Sequence, residues 1–289
     1  LLNIYIWIQN SFIPRLPNNA MPSKKQTFNK ICKDIKSIKI QGATNVAKQG
    51  FRAYKLFPTQ TSKKKLLSLR PTEPMLFNLI YKHKDKTYKQ VSEEIKQSQD
   101  TINKETYKLI KNNSVIFTHC HSSSVTKALA YAKEKGKKFE VYHTETRPLF
   151  QGRKTARDLK KAKINATMFP DSGAQIALTK SQDTKKANLV LLGADAILKE
   201  GVINKIGSGM FSGIAKKNKI PVYILSNSLK YYPKKIKIEE RGFDEVWDTE
   251  KKIKIKNPAF ELIKRKQIKG IISDLGNLSY SKFLIKVKN

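Results

Sequence analysis

A cysteine between two histidines follows a short apolar run in the segment VIFTHCH, residues 115–121. Three serines come next, and helical spacing of apolar residues begins behind them. Cys120 is therefore predicted between a strand end and a helix start, where the helix dipole favours a thiolate. A catalytic thiol and an inert core thiol remain equally compatible with this stretch. A zinc site is a poor fit, because consecutive residues cannot converge on one ion in strand geometry.

A carboxyl group follows a second, very apolar run. Asp195 comes directly after a Gly-Ala pair at the end of residues 188–194. Partial desolvation at a strand end raises a carboxyl pKa toward the range that acid/base chemistry requires. A turn or cap residue is an equally good interpretation on spacing alone. Asn204, Lys205 and Gly207 are then predicted to open a helix, with a cation and free N–H groups directed at an anion.

An arginine marks a third strand end, in the segment TETRPLFQG at residues 144–152. Arg147 can hold a phosphate through two hydrogen bonds, or it can pair with Glu145 and hold a loop. Ligands of open parallel sheets bind at the carboxyl ends of the strands. A thiol, a carboxyl group and cations at three such ends favour an enzyme that moves protons on a phosphorylated substrate.

The elements that must position these groups alternate between apolar runs and helical patterns. Strands are predicted at residues 114–119, 139–146, 165–169, 188–195, 221–226 and 244–248, with helices between most of them. This alternation is typical of parallel β-α-β units. We therefore expect an α/β protein with a Rossmann-like, doubly wound parallel sheet.

Upstream of the sheet, apolar residues recur at three- and four-residue spacing, which predicts only helices. We expect a helical N-terminal domain at residues 23–113 and a Rossmann-like catalytic domain at residues 114–289. Residues 1–22 are expected to lie outside the fold. Their apolar stretch is too short to span a bilayer, and no basic residues of a signal peptide precede it. No membrane partner is therefore expected.

The chain is strongly basic, with 58 Lys and Arg residues against 23 Asp and Glu and a formal charge of +35. Such a charge raises nucleic acid as a partner. However, the cations are mostly lysines spread along the chain, and lysine reads bases and bidentate phosphates less well than arginine. Specific nucleic-acid binding is thus a minority interpretation. The two cysteines do not form a disulfide framework, which favours a reducing, cytoplasmic location.

Seven motifs together resemble the superfamily that joins the aldose-1-phosphate isomerases to the alpha, beta and delta subunits of translation initiation factor 2B. In chain order they are IQGATNVAKQG, RPTEPMLFN, THCHSSS, TETRPLFQGRKTA, PDSGAQ, GADAILKEGVINKIGS and NPAF. They extend from about residue 39 to residue 260. The resemblance implies a helical N-terminal domain followed by a Rossmann-like domain, in agreement with the periodicity.

The resemblance implies an enzyme, because Cys120 and Asp195 match the catalytic pair that the initiation-factor subunits typically lack. Within the superfamily the motifs look most like ribose-1,5-bisphosphate isomerases, which form ribulose 1,5-bisphosphate in AMP salvage toward RuBisCO. Cys120 would act on the carbon proton and Asp195 on oxygen, without a metal or another cofactor. The alternatives are a noncatalytic initiation-factor-like subunit and a methylthioribose-1-phosphate isomerase.

The same match implies substrate contacts, mainly to the phosphates of a sugar bisphosphate, at Gly42, Arg70, Arg147, Asn204, Lys205 and Lys230. One departure is Gln41, at a position where the isomerases usually have an arginine. Loss of that arginine would weaken phosphate binding, since a buried charged contact contributes roughly 2–5 kcal/mol. The resemblance also implies a homo-oligomer, either a dimer or a hexamer.

Overall fold

The structure is a computed structural model that describes residues 22–181, 183–249 and 253–288. Apart from Pro22, the extension expected at residues 1–22 lies outside the described residues. Within these ranges, none of the helices has the length and apolar character needed to span a bilayer.

Five helices form the N-terminal part: α1 (Lys24–Lys36), α2 (Ala43–Leu56), α3 (Gln60–Ser68), α4 (Pro74–Lys82) and α5 (Tyr88–Leu109). Ser23 and Thr87 begin α1 and α5 with reciprocal capping boxes, which satisfy N–H groups that have no partner inside a helix. The apolar faces of the first four helices and the start of α5 meet in one cluster around Phe51, and Cys32 is buried in it. The helical spacing of the sequence is explained by this cluster.

Strands and helices alternate in the remainder of the chain. In order they are β1 (Ser114–Thr118), α6 (Ser123–Glu134), β2 (Phe139–Thr144), α7 (Gly152–Lys161), β3 (Asn165–Phe169), α8 (Ala174–Leu178), β4 (Leu189–Leu192), β5 (Ala196–Ile197), β6 (Gly201–Lys205), α9 (Ser208–Lys217), β7 (Val222–Leu225), β8 (Phe260–Lys264), β9 (Gly270–Ser273), β10 (Gly276–Leu278) and α10 (Tyr280–Lys286).

The central sheet has the strand order β10-β9-β7-β4-β1-β2-β3. All neighbouring pairs are parallel except β9 with the edge strand β10. The chain winds outward from β1 through β2 to β3 and then crosses to β4 on the other side of β1. This confirms the doubly wound, mostly parallel sheet. The crevice at such a crossing, beyond the carboxyl ends of β1 and β4, is where ligands bind.

The two faces of the sheet carry separate apolar clusters. One contains Ile116 and Leu191 together with residues of α5, α6 and α7, and the other contains Phe117 and Val190 together with residues of α8, α9 and α10. The last helix of the N-terminal part therefore covers the sheet in the same way as the crossover helices. The boundary predicted near residue 113 falls in the turn between α5 and β1.

Two sequence predictions of elements are wrong. Residues 244–248 are not a strand, because Phe243–Glu245 form a short 3₁₀ helix and Trp247 is 52% exposed. Asn204 and Lys205 do not open a helix, because they end β6, which pairs with β5 and β8 in a small antiparallel sheet. The helix behind them begins at Ser208. The second error arises because pairing with residues distant in the chain decides the local structure of Asn204 and Lys205.

Candidate functional site

Cys120 adopts a left-handed backbone conformation, with φ at 62°, just beyond the end of β1. Its N–H donates to the hydroxyl oxygen of Thr146 at 3.0 Å, and its carbonyl accepts from the hydroxyl of Thr155 at 2.7 Å. A residue with a Cβ rarely adopts this conformation unless its surroundings hold it. The loop after β2 and helix α7 therefore fix the direction of the thiol.

The two histidines beside the thiol have positioning roles. The ring of His119 is 1% exposed and donates from Nε2 to the carbonyl of Ile206 at 2.8 Å, while Nδ1 accepts from the hydroxyl of Thr144 at 2.6 Å. Burial lowers the pKa of His119 to about 4, so the ring is neutral. His121 contacts Asp158 of α7 at 2.8 Å. His119 thus ties the end of β1 to the loop that follows β6.

Asp195 lies beyond the end of the neighbouring strand β4, and its N–H donates to the carbonyl of Ile203 at 2.8 Å. Desolvation raises the pKa of its carboxyl group, against the opposing charge of Lys230. A Cβ on Gly193 would lie 2.5 Å from Oγ of Ser122. The segments that carry Cys120 and Asp195 are therefore packed directly against one another.

The thiol of Cys120 is protonated in the free protein. Burial raises its pKa to about 12, with a further contribution from the negative charge of Asp195. Lys205 and Arg241 oppose this shift without reversing it. The helix start was expected to favour a thiolate, but the net effect of the surroundings is the opposite, because burial disfavours the charged form more than Lys205 and Arg241 favour it. The pair holds at least one exchangeable proton at neutral pH.

Two buried lysines face this pair. The ammonium group of Lys230 donates to the carbonyl of Ala194 at 2.6 Å, and its charge acts on Asp195. Lys205 is the main charge that lowers the pKa of Cys120. The amide of Asn204 donates to Ser208, whose hydroxyl donates in turn to the carbonyl of Lys205. Asn204 therefore supports the turn of Lys205, and the structure brings both lysines to the pair.

Arg70 lies in the same region and forms ion pairs with two carboxylates, while its Nε has no hydrogen-bond partner among the described residues. Its guanidinium contacts Glu73 at 2.5 Å and Glu239 at 3.3 Å, and it also acts electrostatically on Asp195. Burial raises the pKa of Glu73 to about 7. Protonation of Glu73 therefore weakens its ion pair with Arg70 below neutral pH.

The other two predicted contact residues lie on the surface. Gly42 is exposed at the start of α2, with φ at 83° and no side-chain cap above it. Arg147 is exposed, and its guanidinium lies 4.8 Å from the ring centroid of Phe150. Among the described residues Arg147 and Glu145 form no ion pair, and the backbone N–H of Arg147 donates to the carboxylate of Asp171 at 2.7 Å. Both residues are open to solvent.

The sequence interpretation missed one functional segment. Arg241 lowers the pKa of both Cys120 and Asp195, and its guanidinium contacts Glu239 at 3.2 Å. Its N–H donates to the carbonyl of Asn257, in the NPAF motif. The sequence pattern predicts a strand at residues 244–248 and assigns this segment no place in the site. The matching NPAF motif, which no predicted role had used, was the available clue.

Gly193→Ala is expected to impair the site more than the fold. The added methyl group would meet Cβ of Ser122 at 2.7 Å and force the two strand ends apart. Overpacking of this kind costs about 1–3 kcal/mol, and a 1 Å misplacement of reacting groups lowers turnover roughly 10²-fold. Gly213→Ala is the control, since its methyl group meets only Gln267 at 3.4 Å. Equal turnover in the two variants would contradict the close packing.

Asn78→Ala is expected to destabilise the turn that carries Lys230. The Asn78 side chain on α4 is 4% exposed and donates to the carbonyls of Leu229 and Tyr231 at 2.6 and 2.8 Å. Loss of the amide leaves these carbonyls without a partner, which lowers the free energy of unfolding by about 1–3 kcal/mol. Urea titration measures the change. Asn29→Ala, on the exposed side of α1, is the control and should shift stability by less than about 0.5 kcal/mol.

Comparison with known proteins agrees with this architecture. The profile of the Initiation factor 2 subunit family matches residues 40–280. Ribose 1,5-bisphosphate isomerase from Methanocaldococcus jannaschii is 31% identical, over 87% of this chain and 90% of that protein. A putative translation initiation factor eIF-2B subunit 2-like protein from Pyrococcus furiosus is 29% identical, over 86% of this chain and 94% of that protein.

Solved structures show the same fold. A translation initiation factor eIF-2B from Pyrococcus horikoshii superposes with a TM-score of 0.77 at 24% identity, covering 88% of this chain and 98% of the other. The 5-methylthioribose 1-phosphate isomerase from the same organism gives a TM-score of 0.71 at 19% identity, covering 90% and 87%. With the sequence match spanning most of its length, the chain belongs to the initiation factor 2 subunit family.

Proposed function

We propose that this protein is an isomerase that converts ribose 1,5-bisphosphate to ribulose 1,5-bisphosphate, as a step of AMP salvage toward RuBisCO. The observation that carries the proposal is the direct packing of the segments that bear Cys120 and Asp195, two groups with raised pKa values, among buried cations. Such a pair suits proton transfer, and Lys205 and Lys230 suit a phosphorylated substrate. The name of the Methanocaldococcus jannaschii relative supports this substrate.

The chemistry of the substrate sets what the site must do. The 1-phosphate blocks the anomeric oxygen, so the ring opens only when the bond from C1 to the ring oxygen breaks and that oxygen gains a proton. The proton on C2 must then be removed and a proton placed on C1. The hydroxyl on C2 loses its proton and becomes the ketone. Every atom is retained, so two groups that exchange protons are sufficient.

We assign the carbon proton to Cys120 and the oxygen protons to Asp195. Because the free thiol is protonated, Asp195 first accepts the thiol proton and passes it to the ring oxygen. The thiolate then carries the C2 proton to C1, and Asp195 accepts the proton of the C2 hydroxyl and returns it to the thiolate. Lys205 opposes the high pKa of Cys120 and so favours the thiolate that this sequence requires.

An NMR assay tests the proposal. Purified protein is incubated with ribose 1,5-bisphosphate, and the ketone carbon of ribulose 1,5-bisphosphate is expected to appear. The same assay with 5-methylthioribose 1-phosphate tests the methylthioribose branch, which predicts preference for the substrate without a 5-phosphate. Conversion of neither sugar, together with co-purification with initiation factor 2, would support a noncatalytic subunit instead.

We also propose that the protein acts in the cytoplasm as a homo-oligomer, a dimer or a hexamer. Light scattering on the purified chain measures the number of subunits. A monomer at micromolar concentration would contradict this part of the proposal.

A further inference from the structure

We propose that Arg241 binds the phosphate on C1 of the substrate, so that residues 239–245 complete the site around the reacting carbons. This inference rests on the proposed isomerase function and extends it to a segment more than a hundred residues away from Cys120 in the chain.

The backbone around Arg241 is fixed from the side of the NPAF motif. The N–H of Arg241 donates to the carbonyl of Asn257 at 3.0 Å, and the amide of Asn257 donates to the carbonyl of Gly242 at 2.9 Å. The amide of Asn257 also donates to the carboxylate of Glu245 at 3.1 Å. One asparagine therefore holds the arginine and a neighbouring carboxylate in place.

The guanidinium of Arg241 has an unused donor. The side chain is 8% exposed, and its Nε contacts Glu239 at 3.2 Å. Its Nη1 lies 3.7 Å from Glu245, and it is buried without a hydrogen-bond partner among the residues that the structure describes. A buried donor without an acceptor is costly, and a guanidinium fork fits the oxygens of a phosphate. This donor is therefore available to an anionic ligand.

The charge of Arg241 acts on both reacting groups. Arg241 and Lys205 each lower the pKa of Cys120 and of Asp195, whereas Lys230 and Arg70 act on Asp195. The 1-phosphate is bonded to the carbon that receives the proton, so it must lie beside both groups. Of the four cations, Arg241 and Lys205 meet this condition.

The remaining two cations have partners already. Lys230 donates to the carbonyl of Ala194. Arg70 forms ion pairs with Glu73 and Glu239, although its Nε, like Nη1 of Arg241, has no hydrogen-bond partner among the described residues. In the described ranges, the ammonium group of Lys205 forms no ion pair and no hydrogen bond. A dianionic phosphate between Lys205 and Arg241 would supply the missing acceptors to both.

A purely structural role, in which Arg241 only neutralises Glu239 and Glu245, fits the geometry less well. A guanidinium that serves a carboxylate normally approaches to about 2.7–2.9 Å. The 3.7 Å separation of Nη1 from Glu245 exceeds this range. At this distance the contact of Glu245 with Nη1 is weak, so Glu245 competes only weakly with a phosphate for this donor.

Kinetics of three variants test the inference. Arg241→Gln is expected to raise KM for ribose 1,5-bisphosphate about a hundredfold, with a smaller change in kcat, and Arg241→Lys should recover part of the loss because it keeps the charge. Glu245→Gln should lower KM, because it removes the competing carboxylate. A structural role predicts the opposite sign for this last variant. Arg52→Gln, at an exposed site on α2, is the control for the loss of one positive charge.

The outcomes separate this inference from the isomerase function. If wild-type protein turns over ribose 1,5-bisphosphate and Arg241→Gln keeps KM within twofold, the role of Arg241 is overturned and the function stands. If wild-type protein shows no turnover, the function fails, and calorimetric titration with ribulose 1,5-bisphosphate decides about Arg241. Weaker binding to Arg241→Gln than to Arg52→Gln supports the site, and equal binding overturns it.

Discussion

Cys120→Ser is expected to abolish the isomerisation of ribose 1,5-bisphosphate. A serine hydroxyl holds its proton several orders of magnitude more tightly than a thiol, so it cannot take the proton from C2. General acid/base catalysis by one residue contributes roughly 10²–10⁴-fold to a rate, and turnover should fall by at least that factor. The fold should remain, because the oxygen is smaller than the sulfur and the backbone contacts of Cys120 to Thr146 and Thr155 are retained.

The other cysteine supplies the matched control. Cys32 is buried in the apolar cluster of the helices, so Cys32→Ser should lower the melting temperature and leave turnover per folded molecule unchanged. A Cys120→Ser variant that keeps more than a tenth of wild-type turnover would rule out the thiol as the carbon base.

Asp195→Asn is expected to abolish turnover as well, for a different reason. The amide has nearly the shape of the carboxyl group but cannot deliver a proton to the ring oxygen. Exchange of the C1 hydrogens of ribulose 1,5-bisphosphate with deuterated water needs no ring opening. Asp195→Asn also removes the negative charge that raises the pKa of Cys120, so some thiolate forms without proton transfer to Asp195. We therefore expect Asp195→Asn to retain part of this exchange and Cys120→Ser to lose it. NMR measures this exchange. If Cys120→Ser retained more exchange than Asp195→Asn, the assigned roles of the two residues would have to be reversed.

The same variant has an expected signature in stability. Burial raises the pKa of Asp195 in the folded protein. With a raised pKa, the protonated carboxyl group of Asp195 contributes fully to the stability of the fold below the pKa of the unfolded chain, about 3.9. This contribution is lost as the pH rises through the pKa of the folded protein. Asp195→Asn removes this dependence. The melting temperature of Asp195→Asn minus that of wild type should therefore increase as the pH rises from acid toward neutral. A difference that stays constant with pH would contradict the raised pKa of Asp195.

Much of the fold follows from periodicity that is visible in the sequence. The short apolar runs before Cys120 and Asp195 are buried on both faces of the sheet, so burial itself imposed the pattern that predicts the strands. The small sheet of β5, β6 and β8 was not predictable in this way. Its strand β8 lies more than fifty residues after β6, and only their pairing makes Asn204 and Lys205 part of a strand.

The site was predictable as a set of strand ends but not as an electrostatic unit. The high pKa of Cys120 depends on burial by residues distant in the chain, which an argument from the neighbouring helix start does not include. The position of Arg241 depends in the same way on Asn257 and on two carboxylates. Contacts of this kind leave no periodic trace in the sequence.

The link between α4 and Lys230 has a consequence for how this architecture diversifies. Asn78 grips the chain on both sides of Lys230, and Arg70, just before α4, reaches across to Glu239. The helices are therefore not an interchangeable module that recombination can exchange freely between relatives. A chimera that joins the helices of a relative to this sheet should keep its secondary structure, but the ammonium group of Lys230 should no longer lie beside Asp195. In the genes of such proteins, the residues that join α4 to the sheet domain must therefore be inherited together.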